Sequence, residues 1–242
     1  MSEYRFNFWV HFFTPFFSLF VSLNIWRLVD LDSSSGSLFT NETIVPYFIW
    51  AFITQLILVN QHWEIATNIR EGDIVNFVMK PISHFGRYHA QSVGFNLLRF
   101  LFAIAAAIVM YRIQFGVFGF RILLFVFSMI LAHVIEFTVG YIVGVLAFWI
   151  KLSYGFYNMY MIFRYFFSGL VVPISLYGGL LAKVLMYLPF QAVFNTPIMM
   201  VMGKSSDLLF LLLIQIFWVS VLSVLSRLIY KRGLKKLEAV GI

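Results

Sequence analysis

The chain has 242 residues, 62% of them hydrophobic and only 11% charged, with a mean hydropathy of +0.91. Soluble domains carry about a quarter charged residues, so this composition excludes that class and indicates an all-α polytopic membrane protein. The net charge of +7 fits basic loops that orient a membrane protein. It does not fit a nucleic-acid surface, because no basic stripe interleaves with a soluble fold.

A helix needs about 20 apolar residues to cross the hydrocarbon core. The first such run, residues 8–28, starts near Met1 and lacks a small-residue cleavage site, so it reads as a retained span. "LDSSSGSLFTNET" (31–43) is a polar Ser/Gly loop. A second span follows at residues 45–63 and a third at 93–111. The fourth, 121–150, exceeds one crossing and so tilts or extends past the membrane. Its Gly140 and Gly144 make a G-x-x-x-G step suited to close packing within the chain. Residues 154–172 and 208–230 complete six predicted transmembrane helices in a single domain, 1–242. The stretch "RLIYKRGLKK" (227–236) is a basic end of the kind that marks the cytoplasmic side and contacts anionic lipid.

Residues 174–203 are apolar but interrupted. Pro189 and Pro197 cut the run into pieces too short to cross, and Gly178, Gly179 and Gly203 punctuate its ends. Charge decides how it sits. With both termini, the 64–90 loop and the Lys151 loop on one side, that side holds eleven of the seventeen cations, Arg99 included. The other side holds Arg27, Arg112, Arg121, Lys183 and Lys204, and Arg164 lies within a span. This bias makes the first side cytoplasmic. A crossing at 174–203 would place "YKRGLKK" outside, so the segment is expected to be a re-entrant or interfacial helical pair on the outer face. Irregular backbone at that depth must be covered by protein or line a wet cavity.

The loop after the second span is charged between long, nearly uncharged stretches, with Arg70, Glu71, Asp73 and Lys80 within eleven positions. Over residues 64–80, Ile65, Ile69, Ile74, Phe77 and Val78 fall largely on one helical side, with Arg70, Glu71, Asp73, Asn76 and Lys80 elsewhere. Gly72 is a natural bend, and Pro81 disfavours helix at Lys80 and beyond. Two readings suit this amphipathic helix: one lies on the headgroups, the other docks a soluble partner.

Glu136 and Arg164 are the ionisable residues deepest in the predicted membrane. Both sit roughly 20 Å from the cytoplasmic end of antiparallel neighbours. They form either an ion pair fixing the fourth span to the fifth or part of a substrate cavity. His133 lies one turn before Glu136, and such a pair without further ligands is a weak metal site. His84 and His89 are likewise too isolated to argue for a metal. The absence of cysteine rules out disulfides, thiolate chemistry and Cys-ligated metals. "GKSS" (203–206) supplies only the end of a phosphate loop and lacks the Gly-rich turn, so the chain is not expected to be an ATPase or other enzyme.

Several segments carry a family resemblance. "IREGDIVNFVMKPIS" (69–83) resembles the cytoplasmic signature of ABC-2-type permeases, the membrane subunits of a class of ATP-binding-cassette exporters. "FFSGLVVPISLYGG" (166–179), "YLPFQAVFNTPIMMVMG" (187–203), "LLIQIFWV" (212–219) and "KRGLKKLEAVG" (231–241) are similar to that family's last third, in order. The resemblance implies a six-helix permease of the cell membrane, with ATP and Mg held by a separate ATPase present in two copies. It also implies a second permease, either the same chain or a paralogue. The loop after the second span would then be a coupling helix seated on the ATPase. Arg70, Glu71, Gly72, Asp73, Lys80 and Pro81 match the motif, and Glu64, Ile69 and Phe77 complete the coupling set. Pro173, Gly178, Gly179, Pro189, Phe190 and Pro197 would form an outer gate. The competing expectation is an ATPase-independent carrier or scaffold, although secondary carriers often show paired broken helices in two halves and no matching repeat occurs here.

Overall fold

The computed structural model describes residues 16–29, 39–58, 62–74, 81–116, 119–150, 154–205 and 207–238. Among these residues the ordered elements are all helical. The α-helices are α1 (Phe16–Leu28), α2 (Asn41–Gln55), α3 (His62–Arg70), α4 (His84–Phe115), α5 (Phe120–Val145), α6 (Tyr154–Phe167), α7 (Gly179–Leu185), α8 (Asn195–Met202) and α9 (Leu208–Glu238). Short 3₁₀ turns extend α5 over Leu146–Phe148 and precede α7 at Ile174–Tyr177.

Three helices, α4, α5 with its 3₁₀ extension, and α9, are long and apolar enough to cross a membrane. The chain is thus a multi-pass membrane protein. In their described extent α2 and α6 have 15 and 14 residues, below the length that a crossing needs. Both end in irregular backbone. Past Gln55 the chain of α2 turns, and past Phe167 a run of bends leads to Pro173. The predicted fifth span of 154–172 is therefore shorter as a helix. Conversely, α4 is longer than the predicted 93–111, because Ser83 caps it by accepting the Gly86 N–H at 3.1 Å.

α5 is the central strut. In its most apolar stretch 56% of residues are buried, against 17% in both α4 and α9. α9, α8, α3, α4 and α6 all pack on it. The main core, between α2, α4, α5, α8 and α9, is built from large side chains such as Trp50, Tyr47, Phe125 and Phe194. The outward faces of α4 and α9 present Leu98, Phe102, Leu213 and Phe217, which suits contact with acyl chains.

The expected helix over 64–80 is corrected. α3 ends at Arg70 and residues 71–74 are a turn, with Gly72 at φ +82°, a conformation that favours glycine. Phe77, Val78 and Lys80 lie outside the described residues, as do Lys151, the start of the first span and most of the Ser/Gly loop.

Candidate functional site

α3 hangs at one end of the bundle, and its inward face is covered by protein. Ile65, Ile69 and Ile74 are buried in a second core with Tyr88 of α4 and Phe137, Tyr141 and Val145 of α5. Ile229, Tyr230 and Leu234 of α9 close it. Ile65, Ile69 and Ile74, the described part of that apolar face, thus rest on three other helices. Gly144 makes the approach possible, since a Cβ there would lie 2.8 Å from Cβ of Ile65. The G-x-x-x-G step thus admits α3 at its second glycine.

Polar contacts fix the same helix. Gln91 of α4 donates through Nε2 to both carboxylate oxygens of Glu64, at 2.8 and 3.0 Å. Glu64 is half-buried, with its carboxylate turned toward α4. Asn68 donates to the Tyr88 hydroxyl. His62 stacks on Tyr157 of α6, ring centroids 3.5 Å apart and planes 16° apart. Burial holds the His62 imidazole down to about 4, so it is neutral at ordinary pH. His84 bonds through Nδ1 to the Tyr141 hydroxyl at 2.9 Å and stacks on Tyr230.

Of the rest of the predicted coupling set, Ile69 is buried, Phe77 and Lys80 lie outside the described residues, and the others sit at the surface. Arg70, Glu71, Asp73 and Pro81 are exposed, and Gly72 is half-buried between them. Arg70 folds back along its own helix, donating to the Ala66 carbonyl at 3.2 Å and lying over the Trp63 ring. α3 is thus an apolar wedge with a charged tip.

Deeper in the bundle Glu136 and Arg164 meet. Arg164 Nη1 donates to Glu136 Oε1 at 2.8 Å, with the side chains 4% and 1% exposed respectively. Tyr160, one turn before Arg164, donates to the other carboxylate oxygen at 2.5 Å. The guanidinium also lies over Phe194 at 5.6 Å. With both oxygens engaged and a ring over the cation, this group joins α5, α6 and the start of α8. His133 points elsewhere, bonding through Nδ1 to the Ile57 carbonyl at 3.1 Å. A carbonyl only accepts, so Nδ1 carries the proton. No group of three metal-ligating acids and histidines forms among the described residues.

The 174–203 segment divides in two. α7 is superficial, with Leu180, Leu181 and Val184 exposed, whereas every residue of α8 is buried among α2, α5 and α9. Pro197 sits in the first turn of α8, where a missing N–H costs nothing. Pro173 is buried; Pro189 and Phe190 are half-buried in the turns between α7 and α8. Gly178 and Gly179 are exposed at positive φ. Phe190 lies among Tyr160, Phe163 and Phe167 of α6, with centroids 6.0 to 6.5 Å away.

Irregular backbone needs donors, and the helices supply them both at the surface and in the interior. Trp26 of α1 donates to the Val171 carbonyl at 3.0 Å and Tyr47 of α2 to that of Gly169 at 2.5 Å. Trp218 of α9 donates to the Tyr187 carbonyl at 2.9 Å. Gln215 of α9 donates to the carbonyls of Ala192 and Ser128, at 2.8 and 2.9 Å, and accepts from the Ser128 hydroxyl. These residues were not among the sequence candidates. The one available signal was Gln215 itself, a lone amide in the apolar run "LLLIQIFWV".

A central helix, a wedge between helix ends and a buried, side-chain-braced loop before the last span follow the order of the resemblance noted above. A sequence profile described as "ABC-2 family transporter protein" matches residues 10–241. The chain belongs to the ABC-2 transporter family. No curated protein and no solved structure matches it. ABC-2 membrane proteins are transporter components that generally work with an ATPase subunit and are not themselves catalytic.

Proposed function

We propose that this ABC-2 protein is the permease subunit of an exporter, driven by a separate ATP-binding-cassette ATPase that docks on residues 64–83. The observation that carries this reading is the build of α3: an apolar face seated on the ends of α4, α5 and α9, and a tip with Arg70, Glu71 and Asp73 in solvent. A force applied to the tip reaches α5, the strut on which most other helices pack. ATP and Mg belong to the partner. Docking can shift the spans only if the contacts differ between the partner's two nucleotide states.

In this reading six spans cross the membrane, with α1, α2 and α6 completing the set, and both termini are cytoplasmic. The charge bias of the loops supports that orientation. Residues 174–203 enter from the outer face, and Pro173, Gly178, Gly179, Pro189, Phe190 and Pro197 shape the exit. Two ATPase copies and a second permease, identical or paralogous, complete the exporter. The Glu136–Arg164 pair is structural, holding α6 to the strut.

The test is affinity purification of the permease from its native membrane. A soluble ATP-binding-cassette ATPase should co-purify, and Glu71→Arg with Asp73→Arg should release it while leaving the permease folded. Recovery of the permease alone, with transport unaffected by ATP depletion, would instead establish an ATPase-independent carrier.

A further inference from the structure

The last turns of α9 present two unlike faces. Ser226, Tyr230, Gly233 and Leu234 turn inward; a Cβ on Gly233 would lie 2.2 Å from Cδ2 of Phe148, so the backbone is pressed on the end of α5. Opposite them, Arg227, Lys231, Arg232, Lys235 and Lys236 are all exposed. No acidic residue occurs between Asp207 and Glu238 in the sequence.

Two observations say what covers this cationic face. The first is depth. α9 has 31 residues and is about 46 Å long, whereas the hydrocarbon core is about 30 Å thick. If Leu208 marks one edge of the core, the core ends near Leu228, and Arg227, Lys231 and Arg232 fall in the headgroup layer, with Lys235 and Lys236 within snorkelling reach. The second is continuity. Along the same outward face, one to three turns earlier, Val221, Val224, Leu225 and Leu228 are exposed. An exposed aliphatic stripe that passes without a break into a cationic one has the profile of an acyl chain below its charged headgroup. A soluble protein's surface would not require the aliphatic part.

We infer that the outward face of α9 from Arg227 to Lys236 binds the headgroups of anionic phospholipids in the adjacent leaflet. Several cations within one Debye length of a phosphate act together. Because Tyr230, Gly233 and Leu234 belong to the same turns, the bound lipid braces the core in which Ile65 and Ile69 of α3 are held. This inference is independent of the ATPase and of the substrate.

The experiment uses the full chain purified in neutral detergent. Native mass spectrometry compares adducts of phosphatidylglycerol and phosphatidylcholine, and thermal unfolding is followed with each lipid added. The wild type is expected to prefer phosphatidylglycerol and to be stabilised by it through mass action. Lys231→Gln, Arg232→Gln, Lys235→Gln and Lys236→Gln combined should weaken that preference roughly fivefold per cation removed. Arg in place of the three lysines should preserve it. Equal adducts of the two lipids on the wild type would overturn the inference, as would an unchanged preference in the neutralised protein. Should the neutralised protein not fold, the wild type in rising salt decides: a preference that does not fall with salt overturns the inference.

Discussion

Gly144 of α5 and Ile65 of α3 share a space that one methyl group would overfill. A Cβ on Gly144 would stand 2.8 Å from Cβ and Cγ2 of Ile65 and 2.9 Å from the His62 carbonyl oxygen. The wedge therefore approaches the strut at backbone distance, with no long side chain between them to absorb movement. Gly144→Ala is expected to destabilise the α3 end by about 1–3 kcal/mol, and Gly144→Val by more. Hydrogen exchange over residues 62–74 should rise before global stability falls. Ile65→Ala in the same chain should recover part of the loss, not all, because the Cβ at position 65 and the His62 carbonyl remain in place.

Glu136 and Arg164 should behave as a pair. Glu136→Gln or Arg164→Gln leaves a buried charge without its partner, a loss of about 3–5 kcal/mol. The double replacement should cost less than the sum of the two, as measured by thermal unfolding in detergent. Tyr160→Phe removes one hydrogen bond to the carboxylate and is expected to cost about 1.5–3 kcal/mol. A pair lining a substrate route would instead leave stability intact and change transport alone.

Gln215 joins three elements through a single amide. Gln215→Leu leaves the Ala192 and Ser128 carbonyls without this donor in the interior, at a cost of about 1–3 kcal/mol. The readout is faster hydrogen exchange in the turns between α7 and α8, with α4 and the α3 end unaffected. Gln215→Glu should be worse, since it replaces the donor with an acceptor.

His62 gives the α3 end a pH dependence. Burial lowers it from 6.5 to about 4 in the folded protein, so the unfolded state binds a proton first as pH falls. The stability from keeping it neutral is fully present above pH 6.5 and is lost progressively as pH drops from 6.5 towards about 4. His62→Phe keeps a ring for the Tyr157 stack and should flatten that part of the profile, measured as unfolding midpoint against pH.

The amphipathic pattern of residues 64–74 shows how far the sequence reaches. The spacing of Ile65, Ile69 and Ile74 required a cover for one face, and any apolar surface would have satisfied it. Lipid and protein are equivalent in that respect, so the seat on Gly144, Tyr141 and Tyr230 was not legible. The bond between Glu64 and Gln91 was not legible either, because nothing in the loop indicates Gln91, one helix away. Glu136 and Arg164 were legible because an intramembrane charge is so costly that equal depth on adjacent spans nearly dictates a meeting.

Composition and hydropathy by themselves determined a helical membrane protein. The apolar runs that became α4, α5 and α9 are long enough that only a spanning helix satisfies their backbone within lipid. Pro189, Pro197 and the flanking glycines determined that residues 174–203 would be broken. Tertiary structure alone decided that α8 is interior while α7 is superficial, and that Trp26, Tyr47, Gln215 and Trp218 provide the missing donors. The physical reason is the same in each case. A sequence states that a carbonyl must be satisfied or a face covered, but the partner lies far along the chain, and only packing brings the two together.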